Sequence, residues 1–261
     1  MTPFRIYDRT YQTRLLLGTA RYPSPAILQQ AVTGSGAELV TVSLRRQQSA
    51  PESAQPFWTL LRKLNVDLLP NTAGCRTADE AFTLAQMSRE LFDTPLIKLE
   101  VIGDDQTLQP DMVQTLACAR RLLDDGFQVL PYCTDDLMFC RALVEAGCEV
   151  IMPWGAPIGT GRGLSDPYRL RTLRERLPDV TLIVDAGLGK PSHVTEAMEL
   201  GADAVLLNTA IAKAHDPVAM AQACRLATEA GLLGAQAGPM LAQDHANPST
   251  PVLGMPFRRT S

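Results

Sequence analysis

Lys98 and Glu100 stand two residues apart in an otherwise aliphatic run, Leu96-Ile97-Lys98-Leu99-Glu100-Val101-Ile102. Alternation along a β-strand puts both charges on the face of Leu96, and Ile97, Leu99 and Val101 on the other. An ammonium taken out of water either pairs with a carboxylate or has its pKa lowered, and a lysine with a lowered pKa attacks a carbonyl as the neutral amine. The run reads equally as a structural ion pair inside a sheet. A second carboxylate, Asp185, follows Ile183 and Val184. Standing alone it would be a turn or capping aspartate before Ala186-Gly187-Leu188-Gly189. With Lys98 it points to carbonyl chemistry, because an amine condenses with a ketone to an imine that acidifies neighbouring C–H bonds, and carboxylates then move those protons. Aldolase, isomerase and condensing enzyme all remain open on these residues.

A third element is the stretch Gly155-Ala156-Pro157-Ile158-Gly159-Thr160-Gly161-Arg162-Gly163. Glycine lets backbone N–H groups converge on an anion, although loops of this composition are often plain turns. Ala186-Gly187 and Asn208-Thr209 follow the last two strand-like runs, where many α/β barrels hold a phosphate at backbone amides and a short helix N-terminus. The combination predicts a phosphorylated small-molecule substrate.

Such residues need a frame, and the chain supplies eight strand-like runs: Arg14 to Thr19, Leu39 to Leu44, Asp67 to Asn71, Leu96 to Ile102, Gln128 to Cys133, Glu149 to Trp154, Thr181 to Asp185 and Ala204 to Asn208. Helix-like segments lie between them. Thr77 and Glu80 form a capping box ahead of Ala81 to Leu91, and Pro110 opens a helix that ends at Gly126. Others begin near Pro25, Pro56, Asp135, Pro167, Pro191 and Pro217, three of them ending at Gly147, Gly201 and Gly231. Strict alternation implies a parallel sheet, and eight units in this length fit a single (β/α)8 TIM barrel over residues 1–233. An open doubly wound sheet is the alternative, but its GxGxxG signal is missing where Gly18-Thr19-Ala20-Arg21-Tyr22-Pro23 follows the first strand. Residues 234–261, rich in Gly, Gln, Asn, Pro, Ser and Thr, read as a flexible C-terminal tail. The expected mouth gathers polar residues: Ser43-Leu44-Arg45-Arg46, Asn71-Thr72-Ala73-Gly74, Asp185 and Asn208.

Composition bounds the rest. A hydrophobic fraction of 46% in 261 residues can fill a large core, and a formal net charge of -4 argues against a general nucleic-acid or anionic-membrane binder. The N-terminal residues hold no apolar signal core, and no run approaches the roughly 18 apolar residues of a membrane span; the chain reads as soluble and cytoplasmic. Six scattered cysteines form no CxxC pair and suit small buried thiols. His193, His215 and His245 lie far apart and read as solvated surface residues, so no metal is expected and no cofactor is called for.

Seven strings, in order, resemble the thiazole synthases of thiamine biosynthesis: Thr13 to Thr19, Val40 to Arg46, Leu69 to Cys75, Lys98 to Asp104, Gly155 to Gly159, Val184 to Gly187 and Leu206 to Ala212. The resemblance runs from about Arg14 to Gly231. It implies a (β/α)8 barrel transferase that joins 1-deoxy-D-xylulose 5-phosphate, dehydroglycine (2-iminoacetate) and sulfur from the thiocarboxylate of a ubiquitin-like sulfur carrier protein. It further implies a Schiff base between Lys98 and the sugar ketone, proton transfer by Glu100 and Asp185, and phosphate binding at Gly159, Ala186, Gly187, Asn208 and Thr209. A homo-oligomer, in the family a homotetramer, is expected, with the dehydroglycine-generating enzyme as a further partner. An oxidase or a radical enzyme could be that source. Ala20-Arg21, Trp154 and Lys190 depart from the family's usual glycine-lysine, leucine and threonine. The competing readings are a different imine-forming phosphosugar enzyme, such as an aldolase, and a silent phosphosugar-binding barrel.

Overall fold

A computed structural model describes residues 3–44, 51–247 and 249, and of residues 51–56 the backbone only. Eight strands close a parallel barrel: β3 (Leu15–Gly18), β4 (Leu39–Ser43), β5 (Asp67–Asn71), β6 (Leu96–Leu99), β7 (Gln128–Cys133), β8 (Val150–Pro153), β9 (Thr181–Asp185) and β10 (Ala204–Leu207), with β10 pairing back onto β3. Three of the expected strand ranges are met to the residue, and the others are shorter by a residue or more. The largest trim is in the charged run, where pairing stops at Leu99 and Glu100 lies just past the strand end. The barrel expectation holds and the open sheet is excluded, because its edges are joined.

Between the strands run α1 (Pro25–Ser35), α2 (Pro51–Leu64), α3 (Ala78–Phe92), α4 (Met112–Asp124), α5 (Leu137–Glu145), α6 (Pro167–Arg176), α7 (Pro191–Glu199), the short α8 (Thr209–Ala212) and α9 (Pro217–Ala237). Thr77 caps α3 by accepting from the Glu80 N–H at 3.2 Å, while Glu80 reaches back to the Arg76 N–H at 2.9 Å. Pro110 stands ahead of the N-cap Asp111, so it does not itself open α4. The second helix starts at Pro51, earlier than the Pro56 expected from sequence. Lys190 occupies the N-cap of α7 without a capping side-chain bond, as its ammonium offers no acceptor to the first-turn amides.

Gly147 and Gly201 end their helices in the left-handed region, but Gly231 does not. Helix α9 continues through it to Ala237. A Cβ at Gly231 would lie 2.6 Å from both Met198 Cβ and the Thr195 carbonyl, so the residue is small because α9 packs tightly on α7. The expected tail thus begins as helix; the end of the chain beyond residue 249 lies outside the described residues.

Alternation divides the sheet's side chains between two cores. Leu16, Leu39, Leu69, Leu96, Leu130, Met152, Ile183 and Leu206 fill the barrel, and the opposite faces meet the helices. Below them lies a hairpin that the eight-strand count missed, β1 (Phe4–Ile6) and β2 (Arg9–Tyr11). Phe4, Ile6 and Tyr11 join the interior cluster, while the Tyr7 hydroxyl donates to the Val129 carbonyl at 2.8 Å and Tyr11 donates to Asp67 at 2.7 Å. Both partners sit at strand starts, so the hairpin covers the N-terminal end and leaves the opposite mouth open. Its alternating Phe4, Ile6 and Tyr11 could have announced it, but three-residue strands fall below the length at which periodicity is readable.

Candidate active site

The mouth opens onto a cavity of about 670 Å³ lined by Lys98, Glu100 and Asp185. All three side chains are nearly buried, at 6–8% exposure. Lys98 Nζ lies 3.1 Å from Glu100 Oε1 and 2.5 Å from Asp185 Oδ2. Lys98 shares the interior face with Leu96, as alternation requires, and Asp185 shares it with Ile183. Because β6 and β9 are separated by β7 and β8 around the ring, the Lys98–Asp185 contact spans the barrel interior.

Glu100 is held by a residue to which the sequence reading gave no role. The Thr72 hydroxyl donates to the Glu100 carbonyl at 2.8 Å and accepts from the Glu100 N–H at 2.7 Å, and the Thr72 N–H donates to the Lys98 carbonyl at 3.1 Å. A fully buried threonine thus continues the ladder where β6 stops. Its place beside Asn71, which pairs with Lys98 in register, was the available signal. Arg45 and Arg46 of the neighbouring strand end lie outside the described residues.

Electrostatics favours one of the two readings of Lys98, the paired ammonium. Burial disfavours charge on Lys98, but Asp185 and Glu100 outweigh it and hold the lysine above its ordinary pKa. The resting group is an ammonium, not the neutral amine that burial alone predicts. Asp185 is raised, first by burial and then by the Glu100 charge, against the pull of Lys98 and the Ala186 N–H. Two carboxylates sharing one ammonium leave one excess negative charge, so Asp185 is the place where an added proton is best accommodated.

The expected phosphate residues lie together on the same cavity: Gly159, Ala186, Gly187, Asn208 and Thr209 all line it. Two loops are laced here, with the Gly155 N–H donating to the Ala186 carbonyl at 3.2 Å and the Gly163 N–H to the Gly187 carbonyl at 2.8 Å. Ala186 and Gly187 both have left-handed backbones, φ 75° and 81°. Asn208 precedes α8 without a side-chain cap, and its Oδ1 is buried without a hydrogen-bond partner. Thr209 and Ala210, the first two residues of α8, line the cavity, while the Ile211 and Ala212 N–H groups donate to the Asn208 carbonyl at 3.1 and 2.9 Å. Among the histidines, His193 departs from the solvated reading: its Nδ1 accepts the Gly189 N–H at 3.2 Å, bracing the same loops. Trp154 does not line the cavity, and its indole donates to Asp135 at 3.2 Å.

Gly18 fixes Asn208 by having no side chain. A Cβ there would fall 2.5 Å from Asn208 Cβ. Gly18→Ala therefore has to push Asn208 out of place, and affinity for a phosphorylated ligand is expected to fall by roughly tenfold while the fold is kept. Titration calorimetry with a sugar phosphate checks this; unchanged affinity would remove Asn208 from the anion site.

The chain and its barrel match known proteins. A family model described as thiazole biosynthesis protein ThiG matches residues 5–251. The chain is 64% identical over 256 residues to a thiazole synthase of Ralstonia pickettii (strain 12J), covering 98% of this chain and 93% of that protein. It is 62% identical over 253 residues to a thiazole synthase of Rhodopseudomonas palustris (strain BisB5), covering 97% of each. Among solved structures, the Amycolatopsis orientalis BexX/CysO complex matches with a TM-score of 0.82 at 32% identity, over 92% of this chain and 98% of that one. A thiamine phosphate pyrophosphorylase from Pyrococcus furiosus, at 13% identity and a TM-score of 0.59 over 84% of this chain and 97% of that one, shares the fold alone.

Proposed function

The chain belongs to the thiazole biosynthesis protein ThiG family, the thiazole synthases of thiamine biosynthesis, and from that premise we propose that it makes the thiazole phosphate from 1-deoxy-D-xylulose 5-phosphate, dehydroglycine and carrier-bound sulfur through an imine on Lys98. The carrying observation is the buried Lys98 held by Asp185 and Glu100 on a cavity that also presents the laced glycine loops. Asp185, raised and 2.5 Å away, takes the proton that Lys98 must lose before it attacks the ketone. Water leaves as the imine forms. A carboxylate then removes the proton from the neighbouring hydroxyl-bearing carbon and returns one to the former ketone carbon, which leaves the neighbour as a ketone open to sulfur. No oxidant enters this rearrangement. The phosphate is held at Gly159, Ala186, Gly187, Asn208 and Thr209, a cradle whose composition suits a phosphate dianion.

The carrier protein's thiocarboxylate is proposed as the sulfur source, a reading supported by a 32% identical relative solved in complex with a second protein, CysO. Self-association into a homo-oligomer and docking of the dehydroglycine-generating enzyme belong to the same proposal. Among the described residues no helix is long and apolar enough to cross a membrane.

Borohydride added with the sugar phosphate is expected to fix an irreversible adduct on the peptide carrying Lys98, read by mass spectrometry. Folded protein without that adduct overturns the imine. Omitting the carrier thiocarboxylate separates this activity from an aldolase, since thiazole formation should cease while adduct formation continues.

A further inference from the structure

The Tyr132 hydroxyl takes no part in the chemistry above, yet its ring packs beside Lys98. Tyr132 is on β7, two residues past interior Leu130, fully buried, with its ring centroid 5.8 Å from Lys98 Nζ. The hydroxyl oxygen is sealed from solvent without a hydrogen-bond partner, and the residue does not line the cavity, so it does not touch a ligand there. Phenylalanine would give the same ring and the same cation–π contact and leave no polar atom stranded. Packing therefore accounts for the ring and not for the hydroxyl. A second atom in this region has one contact only: Asp185 Oδ2 meets Lys98 Nζ and has no other partner. An ammonium offers three donors, whereas an imine nitrogen offers at most one. Once Lys98 is converted, Glu100 and Asp185 share at most one donor from it, while Tyr132 still holds an unused one. Burial, followed by the charges of Asp185 and Glu100 and by neighbouring Cys133, keeps the phenol protonated, so it remains a donor throughout.

Resting on the imine reading, we propose that Tyr132 is a positioning residue whose hydroxyl donates to Asp185 when Lys98 becomes an imine, holding that carboxylate ionised and aimed at the proton it moves. The charged groups around it are Lys98 and Glu100 from the β6 run and Asp185 from β9; Cys133, next on its own strand, points to the opposite face.

The test compares full-length wild type with Tyr132→Phe in borohydride trapping, steady-state kinetics across pH, and thermal unfolding without ligand. The adduct at Lys98 should form in both, kcat should fall on the order of ten- to a hundredfold with KM little changed, and the acidic limb of the kcat profile should move up by about one pH unit as the carboxylate loses a donor. The variant's unliganded Tm should equal or exceed wild type, because the hydroxyl it lacks has no partner there. An unchanged kcat and acidic limb, with the adduct present in both proteins, overturns the role of Tyr132. So does a lowered Tm, which would show the hydroxyl already bonded in the resting enzyme. No adduct in wild type overturns the imine reading instead, and the two failures are thereby distinct.

Discussion

Lys98→Met is expected to abolish the borohydride adduct and to lower turnover by roughly four orders of magnitude or more, because Lys213, the other lysine on the cavity, is exposed and does not sit between Glu100 and Asp185 as Lys98 does. The same change strips the cation from two buried carboxylates. Breaking a buried ion pair from one side costs about 3–5 kcal/mol, since the partner left behind is an uncompensated charge. The loss should depend on pH in a definite direction. Without the ammonium, Asp185, already raised by burial and by Glu100, binds a proton more readily folded than unfolded. The neutral acid is then the form the fold tolerates. The variant's stability is thus best kept below the ordinary carboxylate pKa of about 4 and is progressively lost as pH rises through the raised folded value. Unfolding followed by circular dichroism at pH 5 and pH 8 should show the larger deficit at pH 8. Adding Glu100→Gln and Asp185→Asn to Lys98→Met removes the stranded charges and should recover much of the stability but none of the activity. A Lys98→Met protein whose deficit is independent of pH would mean that the three groups do not form one electrostatic unit.

Gly187→Ala should be nearly as damaging to function by a different route. At φ 81° a side chain is strained whatever the space, and here its Cβ would sit 2.2 Å from the Ala156 nitrogen, in backbone that cannot rotate away. The expected cost is about 2–5 kcal/mol, combining left-handed strain with overpacking. The damage is not confined to one residue, because Gly187 also accepts from the Gly163 N–H and so ties the 155–163 loop to the end of β9. Parting the loops displaces the amides proposed to hold phosphate. KM for the sugar phosphate should rise by at least about tenfold, while trapping at Lys98 persists at saturating substrate. An unchanged KM would show that the anion is held elsewhere on the cavity wall.

These expectations draw on information of two kinds. The eight βα repeats were legible because apolar runs of five to seven residues separated by proline- and glycine-marked helices have one economical parallel arrangement. Three helix details were not. Gly231 looks like a stop but lies within α9, because whether a glycine ends a helix or admits a neighbour depends on what packs against it, here Thr195 and Met198. Pro110 lies before a cap instead of inside the first turn. The second helix begins at Pro51 before the proline chosen as its start.

The pairing of Lys98 with Glu100 was written in the sequence, since alternation puts residues two apart on one face of a strand whatever surrounds it. Alternation also fixed the aliphatic interior beneath them and the gathering of glycine, asparagine and threonine at the strand ends. What the chain order could not give was Asp185 at 2.5 Å from Lys98, for that distance exists only after a closed ring turns β6 and β9 toward each other. The charge state went the same way. Burial read alone predicts a neutral lysine, and two carboxylates converging from separate strands keep it an ammonium instead. Thr72 clamping Glu100 past the end of β6 and the partnerless hydroxyl of Tyr132 are likewise products of closure. Local sequence sets which face a side chain occupies, and the tertiary structure sets which faces meet; the chemistry of this site depends on the second.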